Sequence, residues 1–555
     1  VALEPLPPLD RPDCRRVYFP LPVNAPGKSP DNASDHHLPG NVGRAEQLLK
    51  QARQQAERGD HEAAFQSLWE AHYADPSFTP ARRMLALPTG RASLVKFVAG
   101  RQAPPALRWP RGRYLQAETP HFVVFSTATR AETAALAEDL ERFYWIWTQV
   151  FFPLWQDQDA LPGIFTGGAG LGTGNRRLQV ILCRDRGIYN RLLKPQVPGI
   201  EQSTGFYSDA MRATFLFAGP PLDPATRYHE LTHQLIRAAT GSRLRGGRVA
   251  GDQEDYWLVE GIAAYMESLR FAPTYALVGG WESPRLQYAR YRWLVAGDTV
   301  RLEELVAEGR TSVQRRSDLP RWYSHVAAYT HWLMDQGGRS TRNAVFRRLA
   351  SLYAVPAPDL DSAPETLPLE EASAAMRSCL RLDDTRLTPL DPAIPLRQLC
   401  LARTEVTPRG LAKLGEQTEL RWLDLSHLPV GNDAVQQLAP QPQTLRQLSL
   451  EATAVDDGLA DWLAQAEQLT ELDLSLTTVT DRGLQRLAPG LPLETLWLTG
   501  SRVGNATLEQ ARGWDALEAI DVQRTAVERS AVDRLRQLRP NLQVNPLQLI
   551  APSHQ

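Results

Sequence analysis

From Leu396 onward the chain repeats itself, and no other feature restricts its possible folds so tightly. The pattern Leu396-x-x-Leu399-x-Leu401-x-x-Thr404-x-Val406 returns with its first leucine at Leu420, Leu445, Leu469, Leu493 and Leu517, a period of about 24 residues. Leucines two apart read as a short strand with one buried face. A second apolar pair follows in each unit, such as Leu411 with Leu414 or Leu484 with Leu487. One unit is too small to bury its own apolar side, so about three or more must stack to be stable.

This spacing resembles the leucine-rich repeats, which implies an α/β solenoid. The place usually held by Asn or Cys carries Thr404, Thr453, Thr477, Ser501 and Thr525, while Leu428 departs from it. A hydroxyl there can bond to turn backbone. A degenerate unit, Leu380-x-Leu382-x-x-Thr385-x-Leu387, is expected to cap one end, and Leu542-Gln543-Val544 to close the other. Side chains between the strand leucines point to the concave face: Arg421, Trp422, Asp424, Arg446, Glu471, Asp473, Glu494, Trp497 and Asp521. Read as exposed, Trp422 and Trp497 are candidate contacts for a protein partner.

A second signal is five residues long. His229-Glu230-Leu231-Thr232-His233 is an HExxH sequence, with Asp223 able to cap its helix, Pro224 suited to the first turn and Gly241 able to end it. Positions i and i+4 share a helix face, so both imidazoles can reach one metal ion. Glu230 beside them can take a proton from metal-bound water. Histidine is scarce, 11 in 555 residues, which makes a chance match uncommon.

A catalytic zinc (Zn2+) site needs a third protein ligand and an open position. Residues 257–267 read as a second helix, with Leu258, Ile262, Tyr265 and Leu269 as an apolar stripe and Glu260, Ala263, Ala264 and Glu267 on another face. A carboxylate flanked by alanines suits close approach of two helices. With His229, Glu230 and His233, the stretch Trp257-x-x-Glu260-Gly261-x-Ala263 resembles the gluzincins, HExxH peptidases whose third ligand is a Glu on a following helix. The resemblance implies His229, His233 and Glu260 as ligands and Glu230 as general base. Asp252, Glu254, Asp255 and Glu267 are rival ligands. The first three fall in a loop that reads as solvated, and Glu267 is placed to hydrogen-bond a histidine ligand.

Departures narrow the subtype. Ala264 stands where thermolysin-like enzymes place an Asp. The Gly-x-Met-Glu-Asn stretch by which aminopeptidase N relatives recognise a substrate amino terminus is missing before the helix, which disfavours an aminopeptidase. Upstream, residues 121–126 and 178–182 read as strands, 131–152 as a helix with Phe143, Tyr144, Trp145 and Trp147 on its buried side, and 204–217 as a hairpin. In gluzincins the strand before the metal helix is an edge that pairs with extended substrate. The order of elements over about residues 110–350 also resembles a bacterial peptidase-MA-like family found with repeat modules. Gluzincins hold the oxyanion with a Tyr or His from a later helix. Tyr323, His325, Tyr329 and His331 lie in such a segment, and spacing favours Tyr323.

Charge is nearly balanced, 61 basic against 63 acidic residues, with no basic stripe interleaved with aromatics, which argues against nucleic acid. No apolar run is long enough for a transmembrane segment. The chain begins at Val1 and is Pro-rich to about Gly43. A processed amino terminus is therefore expected, as after signal-peptide removal, with a secreted or periplasmic location. Cys14, Cys183, Cys379 and Cys400 show no metal spacing. Cys379 and Cys400 fall on neighbouring repeat strands in this register, offset by two residues, so a bridge is doubtful. Asn32 and Asn505 begin short glycosylation-type triplets.

Leu48, Leu49, Ala52 and Ala56, then Gly59-Asp60, then Ala63, Ala64, Leu68 and Ala71 read as a helical hairpin that resembles one tetratricopeptide unit. A lone unit is expected to pack on the next domain. The expected organisation is a Pro-rich segment (1–44), a TPR-like hairpin (45–105), an α+β zincin-like metallopeptidase domain (110–350), a linker (351–375), leucine-rich repeats (376–546) and a tail (547–555). The functional expectation is a zinc metallopeptidase acting on peptide or protein substrate, which the repeats dock. The alternative is a binding protein whose functional surface is the repeats.

Overall fold

The structure is a computed structural model, which describes residues 17–21, 41–87, 94–99, 103–104, 107–154, 161–166, 177–219, 224–240, 249–272, 275–356, 366–387, 395–488 and 490–545. Asp223, Gly241, Cys14 and Asn32 lie outside them. The chain is mixed α/β, and no helix among the described residues is long and apolar enough to cross a membrane.

Helices α1 (Val42–Glu57) and α2 (His61–Ala74) form the hairpin. Gly59 turns the chain at φ +86°, and the Asp60 carboxylate accepts from the Ala63 N–H at 3.2 Å. Together with α3 (Thr79–Met84), the pair buries Leu48, Ala52, Phe65, Leu68 and Ala81 in a core that continues into Trp145 and Phe152, with Phe65 stacked on Phe152 at 4.3 Å.

Six strands make the central sheet: β2 (Lys96–Val98), β3 (Leu115–Glu118), β4 (Phe122–Ser126), β5 (Leu178–Cys183), β6 (Phe206–Ser208) and β7 (Ala213–Phe217). Their order is β2-β3-β4-β5-β7-β6, with β4, β5 and β7 parallel. The helical unit therefore ends before residue 96 rather than at 105, because Lys96–Val98 already belongs to this sheet. The edge strand at this end of the sheet is β6, and β7, the last strand in the chain before the HExxH helix, lies inside. Helix α4 (Arg130–Val150) crosses from β4 to β5. It starts in a capping box in which Thr129 and Glu132 each accept the other's backbone N–H. Short α5 (Leu161–Phe165) packs on the hairpin, and α6 (Arg186–Leu193) follows β5.

Next come α7 (Pro224–Ala239) and α8 (Tyr256–Met266). A small antiparallel sheet, β1 (Val17–Pro20), β9 (Tyr275–Val278) and β8 (Arg270–Phe271), draws part of the Pro-rich segment into the fold. Then follow α9 (Pro284–Arg290), α10 (Leu302–Val306), α11 (Arg310–Gln314), α12 (Leu319–His331), α13 (Gly338–Leu352) and α14 (Leu369–Leu380). Residues 351–375, expected as a linker, include most of α14. Ala372, Met376 and Leu380 belong to the same core as α8 and α12. Cys379 sits on that helix, so it is not on a repeat strand.

Beyond α14 lie seven parallel strands in chain order: β10 (Gln398–Cys400), β11 (Trp422–Asp424), β12 (Gln447–Ser449), β13 (Glu471–Asp473), β14 (Thr495–Trp497), β15 (Ala519–Asp521) and β16 (Gln543–Val544). Leu399, Leu423, Leu448, Leu472, Leu496, Ile520 and Val544 stand in register and buried. The Thr404, Thr453, Thr477, Ser501 and Thr525 hydroxyls each donate to a carbonyl three residues back, at 2.6–2.7 Å. Just before each of these hydroxyls, and before Leu428, one residue adopts positive φ: Arg403, His427, Ala452, Leu476, Gly500 and Arg524. A left-handed residue other than glycine costs roughly 1–2 kcal/mol. From Arg403 to Gly500 the conformation aims the N–H at the next unit, as from His427 to the Glu451 carbonyl at 2.8 Å, so the repeat compensates for the strain there.

His72 on α2 is fully buried, and neither ring nitrogen has a hydrogen-bond partner. Burial, with a smaller push from Arg82, lowers its pKa from 6.5 to about 3. The folded value lies below the unfolded one, so between these pH values the unfolded chain binds the additional proton. Stability from this group is complete above about pH 6.5 and falls by roughly 1.4 kcal/mol per unit below it. His72→Leu should flatten the decline of urea-unfolding stability between pH 6.5 and 4.5 by about that slope; equal slopes in both proteins would contradict it.

Candidate metal centre

Helix α7 buries Tyr228, Leu231, Leu235 and Ile236 on its inner side, while His229 and His233 meet Glu260 of α8 and Glu230 meets β6. Tyr228 fixes its rotation: the ring stacks on Phe143 at 5.1 Å, and the hydroxyl donates to Asp139 at 3.1 Å. Gln234 accepts from the Thr214 hydroxyl on β7 and donates to the Gln179 carbonyl on β5, tying the helix to the sheet. Helix α8 is buried along all of Trp257 to Met266, more fully than a stripe of four apolar residues implied. Gly261 explains how it fits. A Cβ there would collide with Thr330 and come 3.2 Å from Val326, both on α12.

The packing brings three donor atoms together. His229 Nε2 is 3.2 Å from His233 Nε2 and 3.2 Å from Glu260 Oε2, and His233 Nε2 is 3.6 Å from Glu260 Oε1. Zinc holds N and O ligands at about 2.0–2.1 Å, so tetrahedral ligand atoms lie about 3.3 Å apart. The separations, taken to one or the other Glu260 oxygen, are of that size. Among the described residues this is the one cluster of metal-binding type.

Glu267 completes a relay behind His229. Its Oε1 is 2.9 Å from Nδ1, which leaves Nε2 for the ligand position. Arg285 in turn donates to both Glu267 oxygens, at 2.6 and 2.9 Å. Burial opposes charge on His229, yet Glu260 and Glu267 together push its pKa up to about 10. Burial lowers His233 to about 4, with positive charge on His229 and Arg310 adding to the effect. Desolvation acts against Glu260 too, but the two histidines hold its carboxyl well below the usual range. The buried carboxylates of Glu260 and Glu267 thus share a pocket with two imidazoles and one guanidinium, and its histidine and carboxylate donors suit a dication.

Glu230 stands apart from the ligand atoms. Its Oε2 accepts the Tyr207 N–H of edge strand β6 at 2.7 Å, and burial raises its pKa to about 6. Gly205 makes room for it, since a Cβ there would lie 3.2 Å from Glu230 Cγ. Tyr323, on α12, donates to Glu260 Oε2 at 2.7 Å, and the Arg285 guanidinium lies 5.1 Å over its ring. The other members of that segment point elsewhere. His325 accepts from the Trp293 indole, Tyr329 donates to the Val300 carbonyl, and His331 pairs with Asp335.

Of the rival ligands, Asp252 and Glu254 are exposed, but Asp255 is buried, bonded to Arg348 and to the Trp257 indole. It is a structural acid, not a solvated one. The structure also adds residues that spacing alone did not single out. Tyr256 lies one turn before Glu260 on the same helix and helps to hold its carboxyl low, a neighbour the i, i+4 rule could have found. Arg285 had no local signal.

The expected partner contacts on the repeats are corrected. Trp422 is 4 % exposed, its ring stacked on Tyr288 of α9 at 5.0 Å and edge-on to Tyr291 at 6.1 Å. Trp497 is 8 % exposed, beside Asp473 and Asp521 on the neighbouring strands. Neither offers an open ring: Trp422 is covered by the chain's own α9 and the residues just after it, and Trp497 is buried between its neighbouring strands.

Glu267→Gln keeps the size of the side chain but loses the charge that orients His229. The apparent zinc dissociation constant, measured by chelator competition, should weaken about 10-fold; an unchanged constant would remove Glu267 from the site.

No family model matches the chain, and no curated protein matches it. Among solved structures it is similar to a leucine-rich-repeat protein of Leptospira interrogans, at 16% identity and a TM-score of 0.18 over 27% of this chain. The matched region spans about half of that protein's length, 48%.

Proposed function

We propose that the chain is a zinc-dependent peptidase of gluzincin type, its zincin-like body joined to a leucine-rich-repeat solenoid that docks a peptide or protein. The observation that carries this is the convergence of His229 Nε2, His233 Nε2 and the Glu260 carboxylate, each pair 3.2–3.6 Å apart at its nearest atoms, with Glu230 adjacent but outside the set.

A zinc ion in that pocket would supply Lewis acidity, bringing the ionisation of water near neutral pH and polarising a peptide carbonyl. Burial raises the proton affinity of Glu230, which suits a group that must take a proton and then deliver it to a leaving amine. The Tyr323 hydroxyl beside Glu260 is placed to donate to negative charge developing on a carbonyl oxygen. Tyr256 could share that task. The β6 edge, one of whose N–H groups already meets Glu230, offers extended backbone to a substrate strand. The repeats would raise the effective concentration of a bound target near the cleft.

The test is zinc content together with Glu230→Gln. The wild type should hold one zinc per chain and cleave members of a peptide library read by mass spectrometry. The variant should keep its zinc and lose at least about 100-fold in rate. A wild type without stoichiometric zinc, or cleavage that Glu230→Gln leaves unchanged, would sink the enzyme reading and favour a binding protein built on the repeats. Self-cleavage that disappears in the variant, with no other peptide cut, would restrict the substrate to the chain itself.

A further inference from the structure

Helix α9 touches both the metal centre and the repeats. Near its start, Arg285 grips both oxygens of Glu267, whose Oε1 meets His229 Nδ1. Toward its end, three side chains engage the first two repeat strands. Gln287 Oε1 accepts the Cys400 N–H at 3.0 Å, Arg290 donates to the Cys400 carbonyl at 3.5 Å, and Tyr288 stacks on Trp422 at 5.0 Å. Arg290 also donates to Gln287 Oε1 at 2.9 Å and to the Trp281 carbonyl, closing the cluster. Trp281 itself is buried in the core of the repeats. Seven residues of helix make a rod of about 10 Å, too short to bend between its two attachments.

We propose that Arg285 is a positioning residue for the metal ligand His229, and that β10 and β11 hold it in place through α9, so that zinc affinity depends on the docking of the repeats. The physical reason lies in Glu267. A carboxylate can turn about its last torsion, but a bidentate guanidinium fixes its plane, and with it the oxygen that orients the imidazole. Arg285 is in turn placed by α9. One face of that helix packs Leu286 and Ala289 into the main core, while Gln287, Tyr288 and Arg290 are held by the repeats. Truncating Trp422 removes the ring on which Tyr288 rests and frees that side of the rod.

This inference rests on the zinc reading, and one experiment separates the two. Zinc dissociation constants are measured by chelator competition on the full chain, for the wild type, Arg285→Lys, Trp422→Ala, Trp422→Phe and Leu535→Ala. Arg285→Lys keeps the charge but loses the fork, and is expected to weaken zinc binding about 10-fold. Trp422→Ala should weaken it several-fold, and Trp422→Phe, which keeps a stacked ring, should restore most of that loss. Leu535→Ala lowers the stability of the last repeat, far along the chain from α9, and should leave the constant within about twofold.

If the wild type holds no stoichiometric zinc, the metal centre itself fails. If it binds zinc but Arg285→Lys binds as tightly, Arg285 does not position His229. An effect of Arg285→Lys without one of Trp422→Ala means that the main core alone holds α9, which overturns the dependence on the repeats. Equal loss in Leu535→Ala and Trp422→Ala also overturns it, because general loosening of the repeats would then account for both. Should Trp422→Ala not fold, Tyr288→Leu removes the same stack from the other side and carries the same expectation.

Discussion

Both ring nitrogens of His229 are held by carboxylates two turns apart along α8, Glu260 at Nε2 and Glu267, just past its last residue, at Nδ1, and the rest of the site follows from that clasp. An acid inside a helix as buried as α8 would be costly without a partner. Glu260 finds two imidazoles and Tyr323, and Glu267 finds His229 and Arg285. These partners come from three other elements: the histidines from α7, Arg285 from α9 and Tyr323 from α12. The close approach of α8 to α12 at Gly261 brings these elements within reach of one another. Fold and chemistry therefore share the same contacts, and the carboxylates that would hold an ion also fasten the helices around it.

Much of this could be read from residue spacing because it is local. His229 and His233 share a helix face by periodicity, Glu260 and Glu267 do the same two turns apart, and the leucine period sets the register of the seven parallel strands. What escaped was long-range. Nothing near Arg285 marks it as the partner of Glu267, since the pairing depends on how α9 packs. Trp422 looked like a free aromatic because its place in the repeat is one that faces outward. Its cover comes from a helix more than a hundred residues earlier in the chain. Residues 351–375 read as a linker from their Pro and Asp content, yet Leu369–Leu380 forms a helix through Ala372, Met376 and Leu380.

The repeats show the same division at a smaller scale. Hydroxyl residues in the Asn position were visible, and their bonds to turn carbonyls follow from chemistry. The left-handed residue before each of them was not visible, because Arg403, His427, Ala452, Leu476 and Arg524 are not glycines. In the first four the conformation goes with an N–H bonded to the next unit, a tertiary effect that overrides local preference. One end of the sheet is occupied by the chain's own α9, which changes the picture of the concave face from an open docking surface to one partly used for internal assembly.

The central claim is that His229, His233 and Glu260 hold one zinc ion while Glu230 stays outside its coordination. The most direct measurement is a crystal structure of the zinc-loaded chain with anomalous data at the zinc edge. One anomalous peak within about 2.2 Å of His229 Nε2, His233 Nε2 and a Glu260 oxygen, with the Glu230 carboxylate farther away, is the predicted result. A peak elsewhere, a peak that Glu230 ligates in place of Glu260, or no peak between the two histidines would contradict the account.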